Sequence, residues 1–421
     1  MHEIVDKIWR GEVAMEAWTQ AVAGGNCREV APGIAAISTS YLFGNVTAIR
    51  TEAGLVLIDT GSRETAEQTF AALRRWDKSP VHTVVYTHGH IDHTWGMTLL
   101  DAEADANGWR RPHVIAHRNV LNRFERYDHT QPLNSLVMGR QFNKPGYSFP
   151  EQHRRPDQVY DDVFALQVGG VELQLMHGQG ETDDATYVWL PRQAVLVSGD
   201  FVIWVFPNAG NPRKVQRYAP HWAATLRKMQ TLQPAVLVPG HGPALIDHEK
   251  IAMMLDDGAT VLESLVEQTL ALMNEGATLN RILQQVQAPT DLLSKSYLLP
   301  KYDDPEFVVR GIWHLYAGWY DGNPAHLKPA LDQEVAEEIS QLAGGADELA
   351  ARALAVSAQG NLRLAAHLVE FAAMADPANR DIHLIRATVY GEISRAEPSL
   401  IGKALFAIPE RESTTLSGKQ E

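Results

Sequence analysis

The stretch "YTHGHIDHTWG", residues 86–96, sets three histidines and an aspartate, His88, His90, Asp92 and His93, within six positions. It follows "VHTVV" (81–85), an apolar, β-branched run that reads as a strand buried on both faces. These groups therefore sit on a loop at the carboxyl end of a strand, where open α/β sheets keep their sites. Neutral imidazoles and a carboxylate on one turn suit a borderline divalent cation such as zinc. A lone surface histidine would mean little, but four compressed ligand types at the end of a buried strand are hard to read as a solvated loop. Alternate side chains on so short a loop diverge, so one ion cannot take all four. Two ions can, with His88 and His90 serving one and Asp92 and His93 the other.

Such a centre needs further ligands, and three other strand ends offer them. "HGQGETDD" (177–184) presents His177 and Glu181, "LVSGD" ends at Asp200, and "LVPGHG" brings His241 between two glycines. Each follows an apolar strand, so all are expected at the same edge of the fold.

Working outward, residues 1–20 read as an amphipathic helix. "GIAAIST", "NVTAIRT" and "GLVLIDTG" read as adjacent strands, and "SRETAEQTFAALRRW" as a helix opening at Ser62. After "HVIAH" and its helix, residues 127–160 break the alternation with Pro, Asn, Gln and Arg and read as an insertion near the site. "FALQVGGVELQLMH", "ATYVWLP" and "AVLVSGD" form a second strand group, followed by a helix at 214–232 and a last strand, "AVLVPGHG". Two strand-rich halves with helices outside describe a four-layer αββα sandwich, an α/β class, spanning residues 1–250. From 251 to 421 the chain reads as an all-α domain. Within it "GNLRLAAHLVEFAAMADPANRDIHLIRATVYGEI" has the spacing of helical hairpins, and the tail "ERESTTLSGKQE" reads as frayed.

Composition bounds the function. The 421 residues carry a net charge of -14, with 45% hydrophobic and 21% charged residues, as in a folded globular chain. The acidic balance argues against a nucleic-acid partner. Cys27 is the single cysteine, so no intrachain disulfide is available. The N-terminus shows no apolar leader, and no run reaches the roughly 18 apolar residues of a membrane span. A cytoplasmic location without a membrane span is the expectation.

The motifs now carry a resemblance. His88, His90, Asp92 and His93 match the HxHxDH motif of the metallo-β-lactamase-fold hydrolases. Asp59, Thr60 and Gly61 match that family's strand-ending DTG, Asp200 its bridging aspartate, and Gly240, His241 and Gly242 its final GHG. Where most members carry histidine, Glu181 stands, as in the alkylsulfatase branch. "GWYDGNPAHLKP" (318–329) resembles the signature of that branch's dimerisation domain, and the expectation is a chain that lacks the branch's sterol-carrier-like third domain. Asp200 departs from the glutamate usual in alkylsulfatases.

The resemblance implies a dinuclear zinc hydrolase using a metal-bridging hydroxide, with manganese or iron as possible substitutes. The implied metal ligands are His88, His90, Asp92, His93, Glu181, Asp200 and His241. Asp92 would orient the attacking water, Asp200 would bridge, and Asp59 would orient a ligand histidine. Asn134, Arg140 and Arg310 are candidate contacts for an anionic head group. Trp204, Phe206, Trp313, Trp319 and Tyr320 are candidate channel aromatics, with a core position favoured for Trp319. A small anionic or amphiphilic substrate, above all an organic sulfate ester, and a homodimer follow from the same resemblance. Lactone, amide, thioester or phosphoester hydrolysis on the same platform is the alternative. A noncatalytic interaction protein with structural zinc is the third reading.

Overall fold

In a computed structural model, residues 2–418 are described. Two helices, α1 (His2–Trp9) and α2 (Glu16–Ala21), precede the sheets. The single helix expected over 1–20 is broken by the turn after Trp9, where Gly11 weakens helical propensity.

The first sheet has seven strands in chain order: β1 (Asn26–Ala31), β2 (Ile34–Ser38), β3 (Val46–Thr51), β4 (Gly54–Ile58), β5 (Val81–Val85), β6 (His113–His117) and β7 (Gln158–Tyr160). β1 to β4 are antiparallel, whereas β4 to β7 are parallel. Parallel neighbours need crossover connections, supplied by α3 (Ala66–Trp76), by α4 (Ile91–Thr94) with α5 (Met97–Asn107), and by α6 (Asn119–His129) with α7 (Gln131–Gln141).

The stretch 127–160 thus contains the end of α6, all of α7 and the last strand of the sheet, which continues the alternation rather than interrupting it. β7 escaped the reading because it is three residues long with one buried residue, Tyr160. Helix α3 starts at Ala66, four residues after Ser62, whose hydroxyl pairs instead with that of Thr65.

The second sheet runs β12-β11-β10-β9-β8, from β8 (Val163–Val168), β9 (Val171–His177), β10 (Thr186–Leu190), β11 (Val195–Gly199) and β12 (Val236–Pro239). Its one parallel pair, β11 with β12, is joined across α8 (Ala219–Thr231). Residues 214–218 stay outside that helix, which begins with Pro220 in its first turn, a position that tolerates the missing N–H.

Side-chain alternation builds three layers of core. In β4, Val56 and Ile58 face the core between the sheets with Leu173, Leu175, Val188 and Val238 of the second sheet. Leu55 and Leu57 face the opposite way, onto α3, α5 and α6 through Leu73, Leu100 and Phe124. Both faces being covered is why this strand is apolar without interruption.

Outside the second sheet, α8 packs with α9 (His248–Asn274), α10 (Leu279–Gln285), α11 (Thr290–Leu293) and α12 (Pro305–Ala317) in one apolar cluster reaching from Val5 to Trp313. Trp204, Phe206 and Trp313 are buried in that cluster, whereas Trp319 is 62% exposed just past the end of α12, contrary to the core position expected for it. The remaining helices, α13 (Asp332–Ala343), α14 (Ala346–Ala358), α15 (Leu362–Ala375), α16 (Arg380–Ala396) and α17 (Leu400–Leu416), enclose two small cores of their own. The tail expected to fray is helical through Leu416, and residues 419–421 lie outside the described residues. The architecture is a four-layer αββα sandwich followed by a helical domain. Among the described residues no helix is long and apolar enough to cross a membrane.

Candidate metal centre

Strand ends and the loops after them deliver the chemistry to one edge of the sandwich. Beyond β4 the backbone turns left-handed at Asp59, φ 62°, and sends its carboxylate towards the loop after β5. There Oδ1 accepts the Thr87 N–H at 2.7 Å, and Oδ2 accepts the Thr87 hydroxyl at 2.6 Å and lies 2.7 Å from His93 Nδ1. A carboxylate only accepts, so His93 donates from Nδ1 and turns Nε2 inward. The Thr60 N–H bonds the His93 carbonyl at 2.7 Å, fixing the same residue through its backbone.

Two groups of ligand atoms converge. Asp92, His93 and His241 offer one atom each within 4.8 Å of one another, with Asp92 Oδ2 at 3.6 Å from His93 Nε2 and 3.5 Å from His241 Nε2. His88, His90, Glu181 and Asp200 form the second group. His88 Nε2 and His90 Nδ1 are 2.8 Å apart, and His90 Nδ1 is 3.7 Å from Glu181 Oε2. Asp200 stands between the groups: Oδ2 is 3.6 Å from His88 Nε2, and Oδ1 is 3.2 Å from His93 Nε2 and 3.5 Å from His241 Nε2. This close approach requires Gly240, since a Cβ there would fall 2.1 Å from Asp200 Oδ1.

These spacings fit cations. Ligands tetrahedral about an ion at about 2.1 Å lie about 3.4 Å from one another. His93 Nε2 and Asp200 Oδ1 are buried without a hydrogen-bond partner. Each such orphan costs about 1–3 kcal/mol, and a cation between them would satisfy both.

Electrostatics act on the candidate ligands in both directions. Burial holds the His88 and His90 imidazoles below their ordinary range, with His93 adding to the effect at His88 and His88 at His90, which leaves both neutral as ligands must be. Burial also opposes charge on His93, yet Asp200, Asp92 and Asp59 outweigh it and raise that imidazole. Asp200 is buried too, but His93, His241 and His88 hold it well below the carboxylate range. Burial pushes Glu181 up to about 7, with Arg217 opposing and Asp200 adding to the rise.

Several supporting residues carry no sequence signature. Arg217 Nη1 donates to Glu181 Oε1 at 2.5 Å, and Asn208 Nδ2 donates to the same oxygen, leaving Oε2 towards His90. Both lie on the coil between β11 and α8, where a helix from residue 214 was expected to contain Arg217. The buried Asp184 accepts from Arg123 Nε at 2.7 Å and from the Gly89 N–H at 3.1 Å, pinning the loop between His88 and His90. Asn45 Nδ2 bridges the Pro239 and Gly242 carbonyls at 3.0 and 2.8 Å, framing His241. Lys214 keeps solvent access, yet the surrounding protein, and then Arg217, lower its ammonium to about 8 against the pull of Glu181.

The substrate-contact candidates bond or face other protein groups. Asn134 bonds Thr130 Oγ1 at 2.9 Å, Arg140 is 3.9 Å from Glu412, and Arg310 is 3.8 Å from Glu306. His177 is turned from the centre, its Nδ1 at 2.9 Å from the Ala185 carbonyl and its ring stacked on His117.

Known proteins match this arrangement. Residues 40–241 match the metallo-beta-lactamase superfamily and residues 278–415 the alkyl sulfatase dimerisation family. The chain is 26% identical to a linear primary-alkylsulfatase of Pseudomonas sp., over 87% of this chain and 73% of that one. It is 30% identical to an (R)-specific secondary-alkylsulfatase of Pseudomonas sp., over 86% of this chain and 58% of that one. Among solved structures, the stereoselective inverting sec-alkylsulfatase Pisa1 from Pseudomonas sp. superposes with a TM-score of 0.80 at 25% identity, covering 96% of this chain and 67% of that one.

Residues 40–241 thus form a domain of the metallo-β-lactamase superfamily. The helical region after it matches the alkyl sulfatase dimerisation family, and the relatives that the chain resembles along most of its length are alkylsulfatases. The chain spans about three-fifths of the secondary-alkylsulfatase's length and about three-quarters of the primary enzyme's.

Proposed function

We propose that the protein hydrolyses an organic sulfate ester, or a similar amphiphilic ester, at a dinuclear zinc centre. The observation that carries this reading is Asp200, whose two carboxylate oxygens face different ligand groups. His88, His90 and Glu181 would hold one ion, Asp92, His93 and His241 the other, and Asp200 would be shared. Manganese or iron suits the same oxygen and nitrogen donors. When bound, such a pair supplies a water-derived nucleophile at neutral pH and neutralises charge that builds on the ester.

The chain's own residues do the rest. Asp92, its side chain 31% exposed, would orient water and hold its proton. Lys214 offers a positive charge for an anionic head group. Asp59, Arg217 and Asn208 each occupy the outward atoms of a ligand, so that His93 and Glu181 present a single inward atom. The exposure of Asp92 also disfavours a purely structural zinc protein, because structural sites close their fourth position.

The matched dimerisation region supports a homodimer, and its exposed Leu331 and Leu342, at 69% and 88%, suit a covered face.

Sulfate release from dodecyl sulfate, set against turnover of a chromogenic lactone, thioester and phosphodiester, tests the substrate. Chelator-sensitive sulfate release is the expected result. Turnover confined to the lactone, thioester or phosphodiester would overturn the sulfate assignment in favour of that alternative.

A further inference from the structure

Glu181 is held by two groups, Asn208 and Arg217, and the coil that carries them is itself held from the helical region. Asp303, fully buried in the segment before α12, accepts the Gly210 N–H at 2.6 Å and the Asn211 N–H at 3.2 and 3.3 Å, one distance to each oxygen. Its Oδ1 also accepts the Asp304 N–H at 2.9 Å. Two more bonds tie the same coil to the same region, and a third stays within it. The Phe206 N–H donates to the Leu299 carbonyl at 3.1 Å, Gln216 Nε2 donates to the Gly311 carbonyl at 2.9 Å, and Arg217 Nη1 bonds the Asn208 carbonyl, closing the coil on itself. The fit is tight at Gly210, where a Cβ would lie 2.5 Å from Phe307. Segment 299–303 is anchored in turn to the start of α17, whose Leu400 and Ile401 N–H groups bond the Lys301 and Tyr302 carbonyls at 2.8 and 3.1 Å.

A continuous set of bonded groups therefore runs from α17 through Asp303 and the 208–211 coil to one oxygen of Glu181. Among the described residues no side-chain bond of His93, Asp59 or His241 leads into the helical region: Asp59 holds His93, and the Tyr41 carbonyl lies 3.2 Å from His241 Nδ1.

We infer that Asp303 is a positioning residue through which the helical region sets Glu181, and with it the loading of the His88–His90–Glu181 half of the metal centre alone. This rests on the dinuclear reading proposed above. Removing the Asp303 carboxylate frees two buried N–H groups to pull the coil away, so that Asn208 and Arg217 no longer fix the carboxylate. Groups that orient a ligand from behind commonly govern metal affinity by about 10–100-fold.

The test is a competitive zinc titration of the full-length protein against a chromophoric chelator, resolving two stepwise constants, for wild type, Asp303→Ala, Asp303→Asn and Asn208→Ala. Wild type should bind two ions. Asp303→Ala and Asn208→Ala should weaken one step about 10–100-fold and leave the other within about threefold, with Asp303→Asn between them. Asn208→Ala keeps the test alive should Asp303→Ala fail to fold. Two unchanged constants in the variants, or an equal fall in both, would overturn the assignment of Asp303. Fewer than two ions on the wild type would instead overturn the dinuclear reading, and this inference with it.

Discussion

His93 and Glu181 each give one atom to the centre and one to a holding group, but the holders come from different parts of the chain. Asp59, at the end of the strand beside that of His93, holds His93, and Asn45 frames His241 from the first sheet. Every one of these residues lies between 38 and 242. Glu181 is held by Arg217 and Asn208, on a coil that Asp303 and Leu299 tie to the helices beyond the sandwich. The β-sandwich thus contains all it needs to shape the Asp92, His93 and His241 half. In the other half the loop of His88 and His90 is pinned through Asp184 within the sandwich, but Glu181 is held from a coil tied to a region that is also matched to dimerisation. On the dinuclear reading, metal loading in one half of the site would depend on the integrity of the helical domain.

The largest effect should come from removing what the halves share. Asp200→Ala should lower turnover by more than the about 100-fold typical of changes behind a ligand, and should reduce metal content in both halves; assay of activity and elemental analysis on one preparation checks this. Breaking one half comes next. Asp59→Ala should weaken loading of the His93 half about 10–100-fold and leave the Glu181 half near wild type, the mirror of what is expected at Asp303. A stepwise zinc titration in which both constants move together would show that the halves are not separately held.

A smaller effect is expected at the mouth. Lys214→Ala should raise KM for an anionic ester about tenfold, worth about 1.4 kcal/mol, with kcat changed far less. Steady-state kinetics showing a loss confined to kcat would remove Lys214 from head-group binding. Least of all should the centre feel Leu342→Asp, at a side chain 88% exposed. Light scattering should then report half the native mass, while the zinc content stays unchanged.

The convergence of the candidate ligands was legible because the loops that carry them follow strands, and strands buried on both faces announce themselves. "VHTVV", "VLVSG" and "VLVP" become β5, β11 and β12, and His88, Asp200 and His241 follow from where those strands stop. Asp59 was legible for the same reason. The holders of Glu181 were not, since Arg217 and Asn208 lie on an irregular coil, 36 and 27 residues from the glutamate they bond. Asp303 stands 93 residues from Gly210, and no local pattern marks a carboxylate that caps a distant loop. Likewise β7 joins the sheet with three residues, and only its pairing to β6 identifies it as a strand.

Equilibrium metal stoichiometry tests the central claim most directly. Dialysed against excess zinc and then freed of unbound metal, the wild-type protein should retain two ions per chain, and Glu181→Ala should retain one. A wild type that holds one ion or none under these conditions would contradict a centre shared through Asp200.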